Sequence, residues 1–187
     1  MKLGSLFDGI GGALLCAVKN GIAPVWASEI EPFPIKVTKY HFPNVKHLGD
    51  ITKIKGGEIE PVDIIVGGSP CQDLSVAGKR AGMKHADFGD EETTRSGLFM
   101  EQIRIIKEMR NGTNKPRYMV WENVPGAFSS NNGEDFRAVL EETARVADPT
   151  VSIPRSQGWS NSGSVLGDGF SISWRTFDAQ YWGVPQR

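Results

Sequence analysis

The sequence predicts an α/β protein with a mostly parallel sheet and helices on both faces. Three observations favour this class. Apolar runs at residues 3–7, 25–28 and 62–66 have the length and composition of buried strands. Segments in which apolar residues recur at helical spacing alternate with strands along the chain. Glycine or acidic residues follow each run, as expected where parallel strands end at a ligand-binding edge.

The elements can be assigned in chain order. Strands are predicted at residues 3–7, 25–28, 62–66, 117–121 and 170–177, and helices at residues 13–20, 32–40, 96–110 and 134–146. Gly21 is placed to end the first helix, and the prolines of the second are confined to its first turn. Residues 72–95 show no periodicity, and residues 149–169 are rich in serine, glycine and asparagine, so both segments are predicted to be loops. Long loops inside a compact domain are usually functional or mobile.

The length and the net charge of the chain exclude several classes of protein. A chain of 187 residues fits one domain, and its 21 basic and 22 acidic residues give a net charge of −1. This balance excludes a protein that binds nucleic acid through bulk positive charge. No apolar run approaches the roughly 18 residues of a membrane span, and Asp8 interrupts the early apolar stretch that a signal peptide would need. We therefore expect a cytoplasmic protein with no membrane partner.

Cysteine and histidine usage excludes two kinds of site. Two cysteines, Cys16 and Cys71, are too few for a disulfide framework or a four-cysteine zinc site. The three histidines, His41, His47 and His85, are too scattered to indicate a metal centre, so no metal is predicted. Cys16 falls within an apolar helix and is expected to be a small buried hydrophobic residue.

A glycine-rich turn follows the first predicted strand. Residues 7–12 read Phe-Asp-Gly-Ile-Gly-Gly and open a helix, and glycines here let the backbone approach a ligand closely. Glu29 follows the second strand, where a carboxylate suits hydrogen bonding to ribose hydroxyls, and Asp50 comes later. Together these residues predict a nucleoside-type cofactor site. The alternative is a turn that only packs the helix against the strand.

Polar turns also follow the third and fourth predicted strands. Gly-Gly-Ser-Pro-Cys-Gln at residues 67–72 places Cys71 where α/β sheets bind ligands, and Pro70 stiffens the backbone before the sulfur. Glu122 and Asn123 follow the fourth strand, so a nucleophilic thiol and a proton-donating carboxyl are predicted. Alternatively, Cys71 is an unreactive turn cysteine, and Glu122 and Asn123 only cap the next turn.

Taken in order, the three motifs resemble those of the DNA (cytosine-5)-methyltransferase family. These motifs are Phe-Asp-Gly-Ile-Gly-Gly, Gly-Ser-Pro-Cys-Gln and Glu-Asn-Val. Their order, spacing and strand-end positions agree with the family, and the resemblance covers nearly the whole chain. Asp50-Ile51, Gly97-Leu98-Phe99 and, with one extra residue, the turn at residues 181–186 match further family patterns. The resemblance implies a Rossmann-like, S-adenosylmethionine-dependent methyltransferase fold.

The resemblance also implies roles for the matching residues. Cys71 is the expected nucleophile towards a flipped cytosine of double-stranded DNA, Glu122 engages the ring nitrogen, and Pro70 and Asn123 hold these two side chains. S-adenosyl-L-methionine is the implied cofactor, and its expected contacts are Phe7, Gly9, Ile10, Gly11, Gly12, Glu29, Ile30, Asp50, Ile51 and Leu98. DNA contacts are expected from Gln72, Ser75, Lys79, Arg80 and Gln186, although a solvated loop is an alternative for the two basic residues.

The sequence departs from the family pattern at several points. Ser69 replaces a usual proline or phenylalanine, Ile30 a frequent aromatic residue, and Asp8 a frequent alanine. The chain stops at Arg187 inside a Gln-x-Arg-x-Arg turn, so residues 1–187 are expected to be a partial catalytic, cofactor-binding domain without the target recognition domain. We expect this chain to bind cofactor weakly and not to methylate DNA efficiently.

Two other kinds of protein stay open at the level of sequence. One is a non-catalytic split subunit or remnant of such an enzyme, which would await a missing C-terminal half. The other is a nicotinamide-dependent oxidoreductase, which the adjacent Gly11 and Gly12 and the Pro-Cys pair disfavour. For a bacterial or phage enzyme of the leading class, a cognate restriction nuclease is a further expected partner.

Overall fold

The computed structural model describes residues 1–70 and 97–183, and these form two compact units. The first unit contains residues 1–70 and 97–124, and the second contains residues 125–183. Across the described ranges, no helix combines the length and the apolar character needed to span a bilayer. The same ranges hold no group of three or more His, Cys, Asp or Glu side chains that could bind a metal ion.

The first unit is built on a five-stranded parallel sheet. Its strands are β1 (Lys2–Leu6), β2 (Ala23–Ser28), β3 (Lys46–His47), β4 (Ile64–Gly67) and β5 (Tyr118–Trp121), and they lie in the order β3-β2-β1-β4-β5. Leu6 pairs with both Ser28 and Gly67, so the carboxyl ends of the three central strands lie level. From β1 the strand order continues to β2 and β3 on one side and to β4 and β5 on the other, and such a switch in strand order opens a ligand-binding crevice at this edge.

Helices cover both faces of this sheet, as predicted. The helices are α1 (Gly12–Lys19), α2 (Pro32–His41) and α3 (Gly97–Gly112). Leu14 and Ala17 of α1 pack against Leu3 on one face. Gly67 belongs to the opposite face, and a methyl group added there would overlap the side chain of Gln102 from α3. The α/β class and the parallel sheet are therefore confirmed.

The predicted burial of Cys16 is wrong. Cys16 is exposed on α1, together with Leu15 and Val18. The helical repeat turns Leu14 and Ala17 towards the sheet, which leaves the intervening positions on the outer surface. An apolar neighbourhood in the sequence therefore did not imply a buried position.

The second unit combines a helix with an antiparallel hairpin. It contains α4 (Glu134–Ala144), β6 (Ser162–Gly167) and β7 (Phe170–Arg175). Phe136 of α4 lies at the centre of an aromatic cluster, with ring centroids 4.7 Å from Phe128, 5.2 Å from Trp159 and 5.5 Å from Trp174. These edge-on contacts give this short segment a core of its own.

The prediction of a loop throughout residues 149–169 is also wrong, because β6 lies within it. Asp168 and Gly169 connect β6 to β7, and Gly169 has a φ of 75°, which favours glycine. Serine and glycine make up four of the six residues of β6, so it lacks the apolar alternation of a typical strand. The Asp-Gly pair before an alternating run is a hairpin signal that could have revealed it.

Candidate active site

The turn after β1 has an unusual backbone. Phe7, Gly9 and Gly11 have φ values of 55°, 56° and 90°. Glycine adopts this region freely, but a bulky residue such as Phe7 does so at a cost of about 1–3 kcal/mol. Residues with such backbone conformations cluster at binding and catalytic sites, so this turn is the first component of the candidate site.

Glu29 joins the β1 turn to the end of β2. Its Oε2 accepts a hydrogen bond from the Gly9 amide at 2.9 Å, and its Oε1 accepts from the amides of Ile30 and Glu31 at 2.7 and 2.9 Å. A carboxylate offers about four acceptor positions, so these three bonds leave capacity for one more donor on Oε2. Glu29 is therefore held in place and can still accept a ligand hydroxyl.

Asp50 follows β3 and is linked to the same edge. The Ser28 hydroxyl at the end of β2 donates to the Gly49 carbonyl at 2.6 Å. Asp50 Oδ1 accepts from the Thr52 amide at 2.9 Å and the Thr52 hydroxyl at 2.8 Å. Partial burial alone would raise the pKa of Asp50, but these hydrogen bonds outweigh it and hold the pKa below its ordinary value. Asp50 is thus a carboxylate at neutral pH.

Apolar side chains at the predicted cofactor positions differ in how much surface they offer. Ile10 and Ile30 are 64% and 66% exposed, just beyond the ends of β1 and β2. Leu98 lies half-buried in the first turn of α3. Ile51 is only 4% exposed, so its side chain contributes mainly to the core. Of these side chains, Ile10 and Ile30 therefore have the most apolar surface accessible to a ligand.

Asp8 is a buried carboxyl group within the same turn. Only 8% of it is exposed, and neither carboxyl oxygen accepts a hydrogen bond of good geometry from the part of the chain that the structure describes. Burial raises the pKa of Asp8 above its ordinary value, the nearby Ser5 hydroxyl opposes the rise, and the charge of Glu29 adds to it. The turn therefore holds a carboxyl group in surroundings that disfavour its ionised form.

A second pair of turns is joined by hydrogen bonds on the other side of β1. The backbone carbonyl of Ser69 accepts from Asn123 Nδ2 at 3.0 Å, and its hydroxyl accepts from Trp121 Nε1 at 3.0 Å. The Glu122 amide donates to the Gly67 carbonyl at 3.1 Å. Residues 121–123 therefore fix residues 67–70, a segment called the 67–70 turn below.

The carboxyl group of Glu122 lies over the 67–70 turn. A methyl group added to Gly68 would lie 2.8 Å from Glu122 Oε2, so glycine is what lets the two approach. Glu122 and Pro70 are both exposed. Asn123 also accepts a hydrogen bond from the Val124 amide at 2.9 Å, so both ends of its side-chain amide have hydrogen-bond partners.

Several predicted residues lie outside the described ranges. They are Cys71, Gln72, Ser75, Lys79, Arg80 and Gln186. Their roles stay predictions. Pro70 is the last described residue before Cys71, and its turn lies beside Glu122 and Asn123.

The structure also places at this edge two residues for which the sequence predicts no role in the site. Gln102 is fully buried against Gly67, and neither end of its amide has a hydrogen-bond partner in the described ranges. Arg104 reaches the carbonyls of Ile51 and Ile54, which follow Asp50. Both residues occupy ordinary helical positions, and Arg104 is spaced from acidic residues as in a solvated helix face, so the sequence offered no signal for either.

The chain is similar to known DNA methyltransferases. The family described as C-5 cytosine-specific DNA methylase matches residues 1–146. The chain is 34% identical to a DNA N-6-adenine-methyltransferase of Escherichia phage P1, over 98% of this chain and 27% of that protein. It is 31% identical to the type II methyltransferase M.MspI of a Moraxella species, over 100% of this chain and 36% of that protein. The chain thus spans about a third of the length of these relatives.

A solved structure shares the fold. It is a protein described as a DNA modification methyltransferase encoded within an Escherichia coli prophage, with a TM-score of 0.57 and 26% sequence identity. The match covers 77% of this chain and 38% of the other. The fold is therefore that of S-adenosylmethionine-dependent methyltransferases, as the motifs predicted. With the family match over residues 1–146 and the strand-end turns in place, this chain belongs to the C-5 cytosine-specific DNA methylase family.

Proposed function

We propose that this chain is the part of a DNA (cytosine-5)-methyltransferase that binds the cofactor and carries the nucleophile. The observation that carries the proposal is the hydrogen bonding between residues 121–123 and the 67–70 turn. This turn leads directly into Cys71, and the carboxyl group of Glu122 lies over it. The arrangement supports a thiol and a carboxyl group acting on one base.

The residues beyond β1, β2 and β3 fit S-adenosylmethionine as cofactor. Glu29 has capacity to accept a ribose hydroxyl, and the exposed side chain of Ile30 offers apolar surface to the adenine ring. Asp50 is a carboxylate that suits the amine of the base. Gly9 keeps the backbone open to close approach, because an added methyl group there would meet nothing within 4 Å. When bound, the cofactor supplies the activated methyl group that C5 of cytosine receives.

Cys71 and Glu122 would together activate the cytosine ring. C5 alone is too weak a nucleophile to accept a methyl group. The Cys71 sulfur adds to C6 while the Glu122 carboxyl donates a proton or hydrogen bond to N3, which makes C5 electron-rich. Once C5 carries the methyl group, a base removes its remaining proton. The electron pair released re-forms the C5–C6 double bond and expels the sulfur, and N3 returns its proton.

Double-stranded DNA is the proposed substrate, with the target cytosine flipped out because C6 is inaccessible in the stack. Gln72, Ser75, Lys79, Arg80 and Gln186 are the proposed contacts to it. A further C-terminal part and a cognate restriction nuclease are the proposed protein partners. Because the chain matches only about a third of its relatives, contacts that read the target sequence are expected to come from outside it.

Adenine N6 methylation is a second candidate, which the name of the phage P1 relative favours. The matched part is only 27% of that protein, so its named activity can reside elsewhere in it. The Pro70-Cys71 pair and Glu122 favour cytosine, because an exocyclic amine needs no sulfur addition to the ring before it is methylated.

Analysis of the methylated base distinguishes the two candidates. Duplex DNA is incubated with the chain and cofactor carrying a deuterated methyl group, and the digested nucleosides are identified by mass spectrometry. We expect a small amount of deuterated 5-methylcytosine, lost in Cys71→Ser and retained in Cys16→Ser, which alters an exposed cysteine of α1. Deuterated N6-methyladenine, or 5-methylcytosine at an unchanged level in Cys71→Ser, would overturn the proposal.

A further inference from the structure

Arg104 links α3 to the segment that follows Asp50. Its Nη1 donates to the Ile54 carbonyl at 2.8 Å, and its Nη2 donates to the Ile51 carbonyl at 3.2 Å. These carbonyls lie at the start and just past the end of a short 3-10 turn, Ile51–Lys53, whose cap is Asp50. One guanidinium group therefore spans the turn that carries the Asp50 carboxylate.

Two acidic residues of α3 fix the guanidinium in this position. Glu101 Oε2 accepts from Arg104 Nε at 2.9 Å, and Glu108 Oε1 accepts from Nη1 at 2.8 Å. Glu108 Oε2 accepts from the Gly56 amide at 2.6 Å, which ties the same segment to α3 a second time. A planar guanidinium with five donors can satisfy two carbonyls and two carboxylates at once, whereas the compact ammonium of lysine cannot.

We propose that Arg104 is a positioning residue for recognition of the cofactor's base. By holding the carbonyls of Ile51 and Ile54, it sets the orientation of the capped turn and so of the Asp50 carboxylate. This carboxylate would accept a hydrogen bond from the exocyclic amine of adenine and disfavour a carbonyl oxygen at the same place. The inference rests on the proposed cofactor, and it assigns base selectivity to a residue on a helix that follows the nucleophile in the chain.

The test compares two ligands whose bases differ in that amine and in the proton that a carbonyl oxygen at this position places on the adjacent N1. S-adenosylhomocysteine carries the amine, and S-inosylhomocysteine carries a carbonyl oxygen instead. Dissociation constants for both are measured by calorimetry on the full chain and on Arg104→Met and Arg104→Lys. Arg137→Met is the matched control, because Arg137 in the second unit likewise pairs with two glutamates, at 2.9 Å each, and with one carbonyl.

The unmodified chain is expected to prefer the adenine ligand by about tenfold or more, as for sites built around a hydrogen bond to the ligand. Arg104→Met should reduce this ratio to within about threefold of unity, and Arg104→Lys should retain part of it. Arg137→Met should keep the full preference for the adenine ligand, even if its melting temperature falls as much as that of Arg104→Met. If Arg104→Met fails to fold, the ratio of the two dissociation constants in Arg104→Lys tests the positioning role instead.

An unchanged ratio in the folded Arg104 variants would overturn the positioning role and leave the proposed cofactor intact. An equal loss of the ratio in Arg137→Met would overturn it as well, because the effect would then follow from lost stability. Failure of the unmodified chain to bind S-adenosylhomocysteine would instead contradict the proposed cofactor, and the role of Arg104 with it.

Discussion

Gly68 lies directly against the carboxyl group of Glu122, and a methyl group at Gly68 would lie 2.8 Å from Glu122 Oε2. Its neighbour Gly67 lies against the amide of the buried Gln102. Two consecutive glycines thus contact side chains from different elements. Gly68 contacts Glu122 in the turn after β5, and Gly67 contacts Gln102 in α3. The position of Glu122 over the turn that leads into Cys71 depends on the first of these contacts.

Gly68→Ala is expected to reduce activity more than stability. The contacted atom is the far end of an exposed glutamate side chain, so Glu122 can swing aside at little cost in folding, but its carboxyl then leaves the turn. We expect the rate of covalent trapping by DNA containing 5-fluorocytosine to fall about tenfold or more, as for loss of a positioned acid. Gly158→Ala, where an added methyl group meets nothing within 4 Å, is the control and should leave the rate unchanged.

Gln102→Met is expected to stabilise the chain. The amide of Gln102 is fully buried without a hydrogen-bond partner in the described ranges, and methionine has a similar shape without polar amide atoms. Removing an unsatisfied buried polar group should raise the free energy of unfolding by about 1–3 kcal/mol, measured by urea denaturation. A loss of stability would show instead that the amide is satisfied.

Asp8→Asn is expected to stabilise the free chain at neutral pH. Burial raises the folded-state pKa of Asp8 above the ordinary value of 3.8, so ionisation opposes folding at every pH above the folded pKa. The gain in Asp8→Asn should therefore be complete above the folded pKa and should fade as the pH falls towards 3.8. Melting curves from pH 4 to pH 8 measure it, and a gain independent of pH would contradict the role of ionisation.

The hydrogen bond from Trp121 to Ser69 is expected to couple the two polar turns energetically. Ser69→Ala and Trp121→Phe each remove one partner of the bond, whose length is 3.0 Å. In a double-mutant cycle on unfolding free energies, we expect a coupling of about 0.5–1.5 kcal/mol, the net contribution of one hydrogen bond. Strict additivity of the two changes would show that the bond contributes nothing.

The positions of the site's turns can be predicted from the sequence where residue types that favour turns directly follow an apolar strand. The turn after β1 and the turn before Cys71 follow strongly apolar strands, and glycine, proline and acidic residues mark them without ambiguity. Glu29 was identified because a carboxylate at the end of a second strand has a recognisable spacing. Its hydrogen bond to the Gly9 amide confirms that the first two strand ends lie together.

Other features depend on contacts that sequence spacing does not encode. The pairing of Ser69 with Trp121 joins residues 52 positions apart. Arg104 looks like an exposed helical residue until the segment after Asp50 folds against it. The exposure of Cys16 does not follow from the sequence, because composition does not say which side of a short helix meets the sheet. β6 was missed because its partner strand, rather than its own composition, makes it a strand.

Trapping the chain on DNA is the sharpest test of whether Cys71 adds to cytosine. A duplex with 5-fluorocytosine blocks the last proton loss, so a single slow addition accumulates as a stable complex even where turnover is inefficient. After incubation with S-adenosylmethionine and protease digestion, mass spectrometry locates the modified residue. We expect a methylated fluorocytosine joined to Cys71, and no such adduct in Cys71→Ser. An adduct at Cys16, or none from a chain that binds the cofactor, would contradict this expectation.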